Sequence, residues 1–227
     1  MYKDIGYNPI SKDGYSYMRK KLILIGAGGH AKSVVDSIRE EEIELVGFID
    51  ENKTGEHFGY PILGRTFSDV ENYKDYYYLV SIGDVYFRKA WYERILAEGL
   101  KTLNIIDRTA LISKSVRIGT ANYIGKYTVI NADAKIGDNN IINTKALIEH
   151  ECHIGNHTHM STGSTVNGNV VVGDGVFFGS CAITAAQVHL GKYSVIGAGC
   201  VVVKDIPAGA TAVGVPARVI KMREVEE

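Results

Sequence analysis

Between Ile148 and Met160 the chain gathers Glu149-His150-Glu151-Cys152-His153 and then His157-Thr158-His159. Two kinds of chemistry fit these residue types. A histidine beside a carboxylate can serve as a general base, the acid holding one ring nitrogen and raising the basicity of the other. His150 with Glu151 has that pattern. Alternatively, several of His150, Cys152, His153, His157 and His159 could surround a zinc ion, which takes its ligands from these types. His153 and His157 also suit solvated corner or strand positions with no chemistry.

The elements that must position these side chains are set by a repeat. Stepping by six from Ile118 to Val202 meets fifteen positions, and only Thr184 among them is not large and apolar. Neither a helix, with a period near 3.6, nor a half-buried strand, with a period of 2, sustains a period of six. A hexapeptide repeat marks a parallel β-helix, each repeat forming one flat side of a triangular prism. Residues eighteen apart then stack, in about five turns. One inner column is Ile118, Ile136, Ile154, Val172 and Leu190; a second runs through Ile124, Ile142, Met160, Phe178 and Ile196. The third holds Ile130, Ile148, Val166, Thr184 and Val202. The residue after each apolar position is mostly small or polar, as at Gly119, Gly137 and Gly179. Such residues are expected at tight corners that require positive φ.

His150 and His159 are nine residues apart, half of an eighteen-residue turn. In one chain they should occupy different sides of the prism, more than ~10 Å apart at the rise of an extended chain. A site using both must lie between neighbouring subunits, as in a closed trimer with three equivalent clefts.

The N-terminal half has another grammar. Lys21–Ile25 (KLILI) reads as a buried strand and runs into Gly26-Ala27-Gly28-Gly29-His30-Ala31. A helix follows with Val34, Val35 and Ile38 on one face, then a strand over Glu44–Ile49 ending at Asp50. Strand, glycine turn, helix, strand and acid open a Rossmann-like unit, whose glycines let backbone N–H groups approach a phosphate. A later strand, Tyr77–Ile82, leads to Gly83-Asp84, with Arg88 on the next helix. Room for some four strands falls short of a full dinucleotide domain, so a mononucleotide or nucleotide-sugar fits better than NAD.

The expected organisation is an extension over residues 1–17, with Met18 as an alternative start, a Rossmann-like nucleotide-sugar domain over 18–105, and a left-handed parallel β-helix with a C-terminal cap over 106–227. A formal net charge of −1 gives no sign of nucleic-acid or anionic-membrane binding. Cys152, Cys181 and Cys200 are odd in number and lie within the repeats, as expected in a reducing cytoplasm. The sequence holds no apolar run of membrane-spanning length.

Five segments together carry a family resemblance: GAGGHAKSVVD, FIDE, SIGD with Arg88, IEHECHIG, and the closing KDIPAGATAVGVPARVIK. From about Lys20 to Lys221 the chain resembles the hexapeptide-repeat sugar acyltransferases, in particular the bacterial UDP-4-amino-sugar N-acetyltransferases and the related sialic acid O-acetyltransferases. The resemblance implies acetyl transfer from acetyl-CoA without a metal. It implies His150 as general base, Glu151 as the residue that holds it, and a Gly168 N–H facing the thioester oxyanion. His159 of an adjacent subunit would contact acetyl-CoA, and Ala198 would line the pantetheine slot. Gly28, Gly29, His30, Asp50, Glu51 and Gly83 match positions that hold the UDP end of the acceptor. Two departures stand out. Thr184-Ala185-Ala186 lies where the family often has Pro or Pro-Gly, and Asp84 replaces a usual Asn. The expected activity is N-acetylation of a UDP-linked 4-amino-4,6-dideoxy-sugar by a cytoplasmic homotrimer. The alternatives are O-acetylation of sialic acid or another glycan building block, a zinc lyase or hydratase, and a non-catalytic assembly protein.

Overall fold

The computed structural model describes residues 19–225, so the extension expected over residues 1–17 lies outside the described residues. Strand β1 (Lys20–Ile25) buries Leu22, Ile23, Leu24 and Ile25 completely. A continuous apolar run of this kind suits a strand covered on both faces in a parallel sheet. Helix α1 (Gly29–Asp36) leads to β2 (Ile43–Ile49), the short β3 (Glu56–His57) and β4 (Tyr60–Gly64). After two 3₁₀ turns come β5 (Tyr77–Val80), α2 (Val85–Ala97) and β6 (Lys101–Thr102). The sheet order is β3-β4-β2-β1-β5-β6, parallel except at the β3–β4 pair. This sheet has more strands than the four expected. β5 also stops short of Ile82, because the buried Ser81 turns its hydroxyl onto the Ile25 and Gly26 carbonyls at 3.0 and 2.6 Å.

From Ile105 onward, seventeen two-residue strands follow at six-residue intervals, ending with Val201–Val202. They form the three faces of a parallel β-helix. The first face carries Tyr123, Ile141, His159, Phe177 and Val195 in register, each eighteen residues after the last. The second carries Val129, Leu147, Thr165 and Ile183, and the third Lys135, His153, Val171 and His189. The three expected columns point inward and make one core. The repeat begins two strands before Ile118, at Ile106 and Ile112, which lie on the same six-step. Thr184 is fully buried in its column because its hydroxyl accepts the Asn167 N–H at 2.9 Å.

The corners differ from expectation. Left-handed φ falls three residues after the inward position, at Tyr127, Asp133, Lys145, Glu151 and His157, rather than directly after it. The glycines that follow the inward residues have another cause, the close approach of successive coils. A Cβ on Gly179 would lie 2.6 Å from the Ala198 nitrogen, and one on Gly191 2.2 Å from that of Ala208. An antiparallel hairpin, Ala210–Val213 with Arg218–Met222, closes the C-terminal end.

The two parts share a core. Ile105, Tyr123 and Ile141 of the first face pack with β1, β2 and β5. Ser37 after α1 donates to Asp107 at 2.7 Å, and the Tyr123 hydroxyl donates to the Ser33 carbonyl at 3.2 Å. Arg88 on α2 is the central tie, with 1% of its surface exposed. Its guanidinium donates to the Gly83 carbonyl at 2.9 Å and to Ile82 at 3.2 Å on its own side. Across the junction it donates to the carbonyls of Asn139 (3.1 Å), His157 (2.7 Å) and Thr158 (3.1 Å). Burial pulls its pKa down to about 10, against the opposing charge of Asp84. An Arg88→Met variant should therefore lose roughly 3–5 kcal/mol of unfolding free energy, the range for stripping the partner from buried polar groups. Urea denaturation measures this, and a loss below about 1 kcal/mol, the scale of an exposed ion pair, would contradict the clamp.

Candidate active site

A cavity of about 380 Å³ opens at the carboxyl ends of β1, β2 and β5, where ligands bind in open α/β sheets. Gly28, Gly29, His30, Asp50, Glu51 and Gly83 all line it. Gly28 caps α1 in an extended conformation with no side-chain cap, and the first turn of the helix carries no acid. A Cβ on Gly28 or Gly29 would meet nothing within 4 Å, and neither residue has positive φ. Packing and backbone conformation therefore do not require glycine here, and the backbone lies open to the cavity. Uncapped N–H groups at a helix start favour an anion.

The acidic residues have distinct roles. Asp50 Oδ2 accepts the Ala27 N–H at 2.7 Å, and Oδ1 accepts those of Asn52 and Lys53 at 3.0 and 3.1 Å. Burial alone would raise its pKa, but these backbone donors and the Lys53 charge hold the carboxyl below its usual range. Asp50 thus ties the glycine loop to the turn after β2, with both oxygens already engaged. Glu51 pairs with Arg94 at 3.2 Å, and Arg94 lies over the Trp91 ring at 3.7 Å. Asp84 caps α2 by accepting from Tyr86 and Phe87 N–H at 2.9 and 3.0 Å, a task that Asp and Asn perform equally well. Lys53 and His57 also touch the glycine loop, donating to the Ala27 and Gly28 carbonyls. Sequence reasoning missed both; their one signal was a basic residue soon after the acid that ends β2.

His159, buried on the first face, packs against Gly83 at the edge of this cavity. Its Nδ1–H donates to the Gly83 carbonyl at 3.2 Å, and Nε2 accepts from Asn143 at 3.4 Å. Burial, with the nearby Arg88 charge, pulls its pKa down to about 3. His30, edge-on to Tyr123 and 6.3 Å from the His159 ring, is held at about 4 for the same two reasons.

His150 and Glu151 occupy the corner between the second and third faces, which lies opposite the first. Glu151 has φ +60°, and its Oε2 accepts from His150 Nδ1 at 3.1 Å. This leaves Nε2 free to accept a proton. Gly168 stacks on the same corner one coil later, and a Cβ there would lie 2.7 Å from His150 Nε2. Glycine at 168 thus leaves room for the imidazole. The Gly168 carbonyl accepts the Gln187 N–H, and no acceptor among the described residues takes up its own N–H. Ala185 and Ala186 continue this corner column above Gly168, whereas Ala198 is exposed at the corner between the first and second faces.

The other members of the histidine and cysteine run diverge. Cys152 is buried and donates to the Asn167 carbonyl at 3.1 Å, His153 is exposed on the third face, and His157 contacts Asn139 at 2.8 Å. Among the described residues no group of three or more His, Cys, Asp or Glu is placed to hold a metal ion. No helix among them is long and apolar enough to cross a membrane.

Comparison with known proteins agrees with this geometry. The family described as the PglD N-terminal domain matches residues 21–95. The acetyltransferase domain of PglB from Neisseria gonorrhoeae FA1090 is 30% identical with a TM-score of 0.85, over 89% of this chain and all of that one. That domain has also been solved in complex with acetyl coenzyme A. PerB from Caulobacter crescentus, in complex with CoA and GDP-perosamine, is 32% identical with a TM-score of 0.81, over 88% of this chain and 97% of that one. Uncharacterized protein L142 of Acanthamoeba polyphaga mimivirus is 38% identical over 120 residues, 52% of this chain. The chain spans 24% of that relative's length.

The buried histidines make stability pH-dependent. His30 and His159 have folded pKa values near 4 and 3 against an ordinary 6.5, and burial near Arg88 and Lys89 lowers His157 too. As pH falls, the unfolded chain takes up these protons first. The stabilisation is therefore complete above about pH 6.5 and is lost progressively toward pH 4 and below. Thermal unfolding at pH 7.5 and 5.0 should show a falling Tm, and His159→Gln should shrink that fall. An equal fall in the variant would contradict the assignment.

Proposed function

The chain belongs to the hexapeptide-repeat sugar N-acyltransferases, and on that premise we propose that it transfers the acetyl group of acetyl-CoA to the amine of a UDP-linked 4-amino-4,6-dideoxy-sugar. The acetyl-CoA-dependent sugar acetyltransferase activity follows from the family and from the complexes of its relatives. The amine, the nucleotide and the residue roles are our reading. One observation carries it: His150 Nδ1 is anchored on Glu151 at 3.1 Å while Nε2 lies bare over Gly168.

In this reading the acceptor's diphosphate rests on the α1 N-terminus, and its sugar extends past Gly83 toward His159. His150 Nε2 removes a proton from the amine as its nitrogen bonds to the thioester carbonyl carbon. Glu151 stabilises the imidazolium so formed, and the Gly168 N–H meets the oxygen as it gains charge. Collapse breaks the C–S bond, and the protonated His150 returns the proton to the departing CoA thiolate. His150 lies opposite the face that carries the nucleotide cavity, so the acceptor bound in one chain reaches the His150 of a neighbour. A closed trimer repeats this arrangement three times.

The test is incubation with acetyl-CoA and a UDP-linked 4-amino-4,6-dideoxy-sugar, with the GDP-linked sugar in parallel, following thiol release and product mass. The expected result is CoA release with a product heavier by one acetyl group. Turnover on the GDP-linked sugar alone would overturn the UDP assignment, and turnover on free sialic acid alone the whole reading. His150→Ala should lower kcat by about 10²–10⁴-fold with Tm nearly unchanged, because an exposed corner residue carries little packing. A kcat near that of the parent would remove His150 from the mechanism.

A further inference from the structure

The cavity contains a cation that neither the sequence motif nor the mechanism above uses, and we propose that Lys53 is a direct ligand of the acceptor's phosphates. This rests on the reading that a nucleoside diphosphate occupies the cavity. Lys53 lines the same space as Gly28 and Gly29. Its ammonium donates to the Ala27 carbonyl within the glycine loop, which places the charge beside the loop. An ammonium has three donors; one is used on Ala27 and two remain for a ligand.

The surrounding carboxylates leave that charge available. Asp50 feels the Lys53 cation, yet its oxygens are taken by the N–H groups of Ala27, Asn52 and Lys53. Glu51 is turned to Arg94. The backbone cradle offers less positive charge than the ligand carries negative. A helix N-terminus offers roughly half a positive charge, while a diphosphate carries about two negative ones. A lysine acts on phosphate as a point charge, and this one is placed where the phosphates would lie. The turn Asp50-Glu51-Asn52-Lys53 is thereby a clasp: Asp50 fixes its backbone to the loop, and Lys53 delivers the cation.

Trp91, the single tryptophan of the chain, lines the cavity, so its fluorescence reports binding without turnover. UDP and GDP would be titrated separately into the full chain and into Lys53→Met, Lys53→Gln and Lys53→Arg variants. Lys53→Met and Lys53→Gln should each weaken both nucleotides by about tenfold, and Lys53→Arg should stay within about threefold of the parent. Added salt should weaken the parent more than Lys53→Gln. Glutamine can still donate to Ala27 but carries no charge, so near-parent binding by Lys53→Gln would show that the loop contact alone matters and would overturn the proposal. Loss of one nucleotide but not the other would also overturn it, moving Lys53 to base recognition. If the parent chain binds neither nucleotide, the functional reading beneath the proposal fails, whatever the variants do.

Discussion

A single buried guanidinium decides how the two parts of this protein meet. Among the described residues Arg88 has no buried carboxylate partner; it is satisfied by backbone carbonyls drawn from the end of β5 and from two successive coils of the β-helix. Buried carbonyls at loop ends and corners need donors. One side chain supplies them on both sides of the junction, which fixes distance and orientation together. The same Gly83 carbonyl that receives Arg88 also receives His159, so the lining of the cavity and the first face of the prism are one hydrogen-bonded unit. The Arg88 charge also helps keep His30 and His159 neutral.

That rigid junction has a consequence for catalysis. It fixes the cavity to the first face and leaves the His150–Glu151 corner opposite. No flexing of one chain joins the two, because the prism between them is a packed core of stacked apolar rows. In the proposed mechanism the division is resolved by assembly: one chain holds the acceptor and its neighbour offers the base. Glycine serves both halves, at 28 and 29 by leaving the backbone open to the cavity and at 168 by leaving room for the imidazole.

Much of the fold was legible because stacking imposes a strict period. The columns through Ile136, Ile142 and Ile148 follow from the six-step alone, as does the separation of His150 from His159. KLILI and the glycine run marked the start of the sheet because a doubly covered strand and a phosphate turn are local patterns. What stayed hidden depends on contacts across the chain. Nothing near Arg88 in sequence announces that Asn139, His157 and Thr158 will present their carbonyls to it. Lys53 stands in no motif, and only the fold brings it to Ala27. Asp50 lines the cavity as expected, and its ties to the backbone N–H groups of Ala27, Asn52 and Lys53 are contacts that no motif displays. The corner glycines were credited with positive φ, whereas the approach of the next coil is what excludes a side chain.

The central claim is that each active site joins the cavity of one chain to the His150 of another, and subunit complementation tests it most directly. His150→Ala lacks the base but keeps the cavity; Gly28→Trp fills the cavity but keeps the base. Each alone should be nearly inactive. After the two are unfolded together in equal amounts and refolded, random assembly of a closed trimer should restore about a quarter of the parent activity, because about one junction in four pairs an intact cavity with an intact base. Recovery near that level is the result predicted here. Mixtures no more active than their components would contradict the shared site and return the base and the acceptor to a single chain.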